Sequence, residues 1–314
     1  MQQQTERAEA GVRPGGAPRL SGRQPPLVRA LRPRQWVKGF LVLGAPLASG
    51  RMLEQHVLLG SLVAVVLFCA AASSVYLVND VRDAERDRLH PTKRFRPVAS
   101  GELSERTALL VAAPLGVGAV VLGFLWAVPL GVTLLAYLCV QAAYAYGLKD
   151  QPALDLAAVS AGFLLRAVAG GTATGLPLSP WFLLVAAFAS LFMVAGKRYS
   201  EIRRLGADAG TRRSLQQYSE SYLRFIWTMA AGVSVVVYSL WALNDSHSSA
   251  TVGLSSVAWG PLSVAPVVLG LLRYAADIGQ GRAESPEDIA LTDRHLQVVG
   301  LVWLVMLVLH AASG

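Results

Sequence analysis

Residues 79 to 97 read Asn-Asp-Val-Arg-Asp-Ala-Glu-Arg-Asp-Arg-Leu-His-Pro-Thr-Lys-Arg-Phe-Arg-Pro, directly after an apolar stretch that ends near Val78. On a continuous helix, Asn79, Asp80, Asp83 and Asp87 stay within an arc of roughly 100° and spread along about 12 Å. Oxygen ligands gathered on one helix face suit Mg²⁺, which prefers carboxylates and shares its shell with substrate phosphates. A cationic run of Arg88, Lys93, Arg94 and Arg96 follows at once. Carboxylates that hold a metal beside cations that hold phosphate describe a diphosphate site at a membrane surface. The competing reading is a solvated loop whose charges only orient the chain. The one-face acidic spacing, punctuated by Pro91 and Pro97, favours the site.

Four other groups could join that chemistry. Lys197-Arg198-Tyr199 and Glu201 close a later apolar segment. Two adjacent cations and a Tyr hydroxyl suit a phosphomonoester, and Glu201 can enter a metal shell. A positive-inside anchor at a helix C-terminus is the alternative there. Arg166 is the one cation not at the end but in the interior of an expected span, where a charge costs roughly 2.5–3.5 kcal/mol and requires a polar cavity or a partner. It is expected to bind a phosphate, or else to pair with a loop carboxylate. Tyr144, Tyr146 and Lys149 end another span, and an interfacial tyrosine belt also accounts for the two tyrosines. Glu287 and Asp288 are expected to cap a helix N-terminus. No histidine cluster at zinc spacing, no Ser-His-Asp pattern and no Gly-rich nucleotide loop is present.

The elements that must position these residues are membrane helices. Of 314 residues, 54% are hydrophobic and 15% charged, against about 25% charged in soluble domains. The apolar segments recur almost without a break after Gly39, so one all-α, polytopic membrane domain over 27–314 is expected. It is preceded by a Gln-, Gly-, Pro- and Arg-rich cytoplasmic tail over 1–26 that is expected to be disordered. Nine spans are expected, near 37–50, 55–78, 106–125, 127–147, 154–173, 180–197, 225–244, 255–275 and 296–312. Residues 27–38, with Trp36 among Arg29, Arg32, Arg34 and Lys38, suit the headgroup region. With nine spans and a cytoplasmic N-terminus, all but two of the 28 Lys and Arg fall in cytoplasmic segments; Arg51 and Arg166 are the exceptions. All chemistry-bearing loops then share the cytoplasmic side of an inner (plasma) membrane. The net charge of +8 reads as orientation and anionic-substrate binding. Nucleic acid is not expected, because the cations lie between spans. Cys69 and Cys139 are expected as small buried thiols, with no CxxC spacing.

These residues resemble the UbiA-type superfamily of intramembrane prenyltransferases. Asn79-Asp80-x-x-Asp83-x-x-x-Asp87 is similar to its first aspartate-rich motif, and Arg32-Pro33-Arg34-Gln35-Trp36-Val37-Lys38 to its N-terminal signature. The stretches Tyr144 to Lys149 and Arg166 to Gly171 are also similar, so the resemblance covers roughly residues 29 to 312. Aromatic prenyltransferases of that superfamily carry a second aspartate-rich motif where this chain has Lys197-Arg198-Tyr199-Ser200-Glu201. Here the chain resembles the branch that moves phosphoribosyl from 5-phosphoribosyl 1-diphosphate to polyprenyl (decaprenyl) phosphate. Asn79 to Asp83, His90 to Pro97, Gly196 to Tyr199 and Pro286 to Leu291 are the stretches similar to that branch. Gly39 departs from the general pattern, which has Asn there.

The resemblance implies a UbiA-type bundle and a Mg²⁺-dependent pentosyltransferase that makes a cell-wall arabinan precursor. Its catalytic residues would be Asp80 and Asp83, and its metal ligands Asn79, Asp83, Asp87 and Glu201. Substrate phosphates would fall to Lys38, Arg82, Lys93, Arg94, Arg96, Tyr144, Lys149, Arg166, Lys197, Arg198 and Tyr199. More phosphates on the substrates would favour exchanging an acidic cluster for Lys-Arg-Tyr. Membrane lipids are expected partners, and a homo-oligomer is left open. The alternatives are an aromatic prenyltransferase of quinone biosynthesis and a non-enzymatic lipid-binding or transport protein.

Overall fold

The computed structural model describes residues 24–205, 218–245 and 258–313. The tail expected over 1–26 lies outside these residues except for its last three. Among the described residues every regular element is helical. In chain order they are α1 (Pro26–Leu31), a 3₁₀ segment (Pro33–Leu43), α2 (Gly44–Ala48), α3 (Gln55–Arg82), α4 (Ala84–Leu89), a 3₁₀ turn (Lys93–Phe95) and α5 (Glu105–Trp126). After these come α6 (Val128–Tyr146), a second 3₁₀ turn (Leu148–Asp150), α7 (Leu154–Thr174), α8 (Pro180–Leu205) and α9 (Glu220–Asp245). The chain closes with α10 (Trp259–Leu262), α11 (Val264–Gly279), α12 (Pro286–Thr292) and α13 (Arg294–Ser313).

Eight helices are long and apolar enough to cross a membrane: α3, α5 to α9, the α10–α11 pair and α13. They match eight of the nine expected spans. The remaining one, expected at 37–50, is built differently. Residues 33–48 combine 11 residues of 3₁₀ helix with five of α-helix. At about 2.0 and 1.5 Å per residue they reach about 30 Å, the thickness of a bilayer's hydrocarbon core. The segment starts after Arg32, which touches Asp80 at the charged end of α3. It finishes near Gly50, whose neighbour is Ala311 at the far end of α13. It therefore runs the length of the bundle as a ninth crossing among the described residues.

So long a 3₁₀ run is unusual, and packing on α7 sustains it. A Cβ on Gly170 would collide with the Val42 carbonyl oxygen. Only a glycine there lets the two backbones meet so closely.

Three apolar clusters hold the bundle. One joins α3, α5, α6 and α7 around Phe68, Leu130 and Leu134. A second joins α7, α8, α9 and α11 around Phe192, Leu223 and Ile278. A third packs α1 and the 84–103 loop on α3 and α5 through Ala30, Leu77 and Val98. Large apolar side chains such as Leu110, Leu125 and Val66 point outward. That inversion suits a bundle whose solvent is lipid.

Candidate active site

Helix α3 ends at Arg82, and Asp83 forms the junction to α4. The ladder persists through the junction: the Asp83 N–H donates to the Asn79 carbonyl at 2.9 Å, and the Asp87 N–H to the Asp83 carbonyl at 2.8 Å. The break nevertheless splits the four acidic-motif residues, which the sequence pattern had put on one continuous face. Asp80 and Asp87 turn inward and are 2% and 4% exposed. Asp80 accepts from Arg32 at 2.5 Å and Arg96 at 3.3 Å, and Asp87 accepts from Arg96 at 2.7 Å. Arg96 is thus the counter-ion of two buried carboxylates and ties the loop to α3. Asn79 and Asp83 stay partly exposed, one turn apart, and Lys149 stands 3.5 Å from Asp83. Arg82 reaches across to the Ala145 carbonyl and lies over the Tyr146 ring at 4.3 Å, capping the end of α6.

Arg32 makes its contact from a left-handed backbone (φ 55°, ψ 63°) that ends α1. Such a conformation costs an L-residue about 1–2 kcal/mol. The charged bond to Asp80 and the Tyr76 ring 4.9 Å away fix the side chain.

Tyr76 links this group to a second one, since Arg32, Arg166, Tyr137 and Glu287 all lie within its electrostatic reach. Arg166 is 6% exposed, in the middle of α7. Its guanidinium donates to the Gly162 carbonyl at 2.6 Å and the Tyr137 hydroxyl at 3.0 Å. The rings of Tyr137, Phe68 and Phe163 surround it at 4.9, 5.5 and 5.7 Å. Among the described residues no carboxylate lies within ion-pair distance, so the loop partner considered for it is not there.

Lys38 is its cationic neighbour, and Lys197 is a neighbour of Lys38 in turn. Lys38 donates to Gln35 Oε1 at 2.5 Å and stands 3.4 Å from Glu287 Oε2, while Gln35 donates to Glu287 Oε1 at 2.8 Å. Burial alone would raise the Glu287 carboxyl, but Lys38, the Gln35 bond and Lys197 hold it below the usual carboxylate value. Glu287 thus bonds across the bundle to a residue 252 positions away, where the sequence suggested a helix cap.

The third group centres on Arg198. Arg198 is 3% exposed. It donates from Nε and Nη2 to both oxygens of Asp155, at 2.7 and 2.9 Å, and from Nη1 to Glu201 at 2.8 Å. The Tyr144 hydroxyl donates to the same Asp155 at 3.1 Å. Arg198, Tyr144 and Glu201 therefore lock the ends of α6, α7 and α8 together, where a phosphate ligand, a substrate contact and a metal ligand were expected. Tyr199 is 2% exposed in the α8–α9 core, and its hydroxyl accepts from Arg224 at 3.0 Å. The signal missed was Asp155, a buried acid whose sequence position does not announce a partner 43 residues away.

Lys93 and Arg94 sit on the 3₁₀ turn of the 84–104 loop, with Arg94 exposed over the Phe95 ring. His90 Nδ1 accepts the backbone N–H groups of Thr92 and Lys93, at 3.2 and 3.3 Å. Partial burial and Lys93 hold its imidazole below the usual histidine value. It acts as a neutral loop staple.

Among the described residues no three His, Cys, Asp or Glu form a metal cage. The donors that remain open, the amide oxygen of Asn79 and the carboxylate of Asp83, fit Mg²⁺ in its usual mode of one or two protein oxygens completed by substrate phosphates. Two lateral apolar clefts lie apart from these charges. One, of about 500 Å³, runs between α3 and α5 past Leu62 and Trp126. The other, of about 400 Å³, runs between α7, α8 and α9 past Ser160 and Phe188.

The model of the UbiA prenyltransferase family matches residues 39–292. A decaprenyl-phosphate phosphoribosyltransferase of Mycolicibacterium smegmatis is 48% identical over 287 residues, 88% of this chain and 90% of that protein. One from Corynebacterium glutamicum is 46% identical over 300 residues, 91% and 89% of the two chains. Among solved structures, a UbiA homolog from Archaeoglobus fulgidus bound to GPP and Mg²⁺ superposes with a TM-score of 0.66. It is 18% identical and matches over 92% of this chain and 99% of that one.

Proposed function

This chain belongs to the UbiA prenyltransferase family, and from that premise we propose that it transfers 5-phosphoribosyl from 5-phosphoribosyl 1-diphosphate to decaprenyl phosphate. Diphosphate leaves, and decaprenylphosphoryl-5-phosphoribose, a precursor for cell-wall arabinan, is formed. Two relatives that span nearly the whole chain carry the corresponding name. The observation that supports the reading is the presence of both partly exposed oxygen donors, Asn79 and Asp83, and a group of cations, Lys38 with its neighbours Lys197 and Arg166. A donor with a diphosphate and an acceptor with a phosphate need both.

When bound, Mg²⁺ held by Asn79 and Asp83 would coordinate the leaving diphosphate and offset the charge it gains. Lys149 stands beside Asp83 to receive a diphosphate oxygen, and Lys93 and Arg94 approach from the adjoining loop. Asp80, Asp87 and Arg96 orient that loop. The C1–O bond to diphosphate breaks as a C1–O bond to the acceptor's phosphate forms on the opposite face, so the anomeric centre inverts. The acceptor oxygen is already anionic and needs no general base, which agrees with the structural role of His90. The prenyl chain lies in a lateral cleft, and the site opens to the cytoplasmic side of the plasma membrane.

Detergent-purified protein should convert labelled 5-phosphoribosyl 1-diphosphate and decaprenyl phosphate into an organic-soluble phosphoribosyl lipid. No such product, with the same protein active on a prenyl diphosphate and an aromatic acid, would move it to the quinone branch.

A further inference from the structure

Lys38 and Lys197 both act on one carboxylate, Glu287, and Arg166 is a further cationic neighbour of Lys38. That carboxylate is only partly satisfied. Oε1 accepts from Gln35 at 2.8 Å, but Oε2 is buried without a hydrogen bond and its ion pair to Lys38 is stretched to 3.4 Å. Charge-assisted bonds of this type are normally about 2.7–2.9 Å. The pocket is better suited to a group with more charge and more oxygens than a carboxylate has.

We propose that Glu287 is a placeholder, occupying the seat of a substrate phosphomonoester in the Lys38–Lys197–Arg166 pocket and leaving when that phosphate enters. A phosphate dianion brings twice the charge of Glu287 to the same cations. Its additional oxygens would reach the Arg166 guanidinium, whose present partners are all neutral. The element that carries Glu287 can yield: α12 has seven residues, none of them fully buried. Gln35 and Lys38 hold it on the side of the 3₁₀ segment, and Ile289 rests on the α8–α11 core. Gly281, in a left-handed conformation (φ 72°), begins the loop that leads to it. Entry of the phosphate therefore frees α12 from the 3₁₀ segment. The proposal rests on the transfer reaction for the identity of the phosphate, which is that of the acceptor lipid or the 5-phosphate of the donor.

Hydrogen–deuterium exchange on the full chain in detergent tests this without a variant. Decaprenyl phosphate and ribose 5-phosphate are added separately. Faster exchange across 286–292 with one of them supports the proposal and names the source. Unchanged or slower exchange with both overturns it. In a second measurement, Glu287→Gln should lower the KM for the same ligand several-fold, since the competing charge is gone. A KM that rises while kcat holds would mark Glu287 as a simple tie and overturn the placeholder role. Faster exchange without any phosphoribosyl lipid formed would keep the exchange and sink the reaction. Lipid formed with no change at 286–292 would sink the exchange alone.

Discussion

Arg32 Nη2 lies 2.5 Å from Asp80 Oδ1, and Asp80 is 2% exposed. This contact joins the end of α1 to the end of α3. With Arg96 bridging Asp80 and Asp87, it makes the inner half of the acidic motif a structural ion network. The outer half, Asn79 and Asp83, stays partly exposed.

Arg32→Ala should therefore behave as a stability variant. Removing one partner of a buried ion pair costs about 3–5 kcal/mol, and the lower figure applies because Arg96 remains beside Asp80. Thermal unfolding in detergent should show a clear fall in Tm. An unchanged Tm would mean that Arg32 is dispensable to Asp80.

Arg166→Gln should separate stability from activity. A buried guanidinium with no carboxylate at hand, at a depth where charge costs roughly 2.5–3.5 kcal/mol, does not stabilise the ligand-free bundle. Its removal should leave Tm unchanged or higher while phosphoribosyl transfer falls by about two orders of magnitude, the cost of losing one preorganised charge contact. A large loss of Tm would instead make Arg166 structural.

Gly170→Ala should be poorly tolerated, because its Cβ meets the Val42 carbonyl oxygen and the 3₁₀ segment must shift. Overpacking of this kind costs about 1–3 kcal/mol. Gly118→Ala, with nothing within 4 Å of its Cβ, should be neutral or slightly stabilising through helix propensity. Equal effects in a Tm comparison would refute the close approach of the two backbones.

Glu287 gives a pH signature. Its folded carboxyl lies below its unfolded value of 4.5. The stability it contributes is thus fully present above about pH 4.5 and is lost as pH falls through the lower folded value. The Tm difference between wild type and Glu287→Gln should be flat from pH 8 to above 5 and shrink only in stronger acid. Shrinkage near pH 6–7 would place the carboxyl above its usual value.

The bundle was legible in the sequence because eight of its crossings are ordinary apolar α-helices. The segment expected at 37–50 instead occupies 33–48, since apolar residues alone do not announce a 3₁₀ rise per residue. Asn79, Asp83 and Arg166 stand where their types and spacing suggested, at a helix end and within the bundle. Arg198 and Tyr199 read as a phosphate clamp because they close an apolar segment beside Lys197. Their burial is decided by Asp155 and Arg224, distant residues no local pattern exposes. The same holds for Glu287, whose partners Gln35 and Lys38 lie near the other end of the chain. Local chemistry could be read, and long-range pairing could not.

On the proposed function, Asn79 and Asp83, and not the buried Asp80–Asp87 network, receive the metal-bound diphosphate. A Mg²⁺ titration of phosphoribosyl transfer in wild type, Asp83→Asn and Asp87→Asn tests it most directly. EDTA should abolish transfer. Asp83→Asn should lose turnover by orders of magnitude or demand far more Mg²⁺, while Asp87→Asn lowers Tm and keeps the wild-type Mg²⁺ requirement. Near-normal turnover in Asp83→Asn, with the Mg²⁺ requirement shifted only in Asp87→Asn, would contradict it.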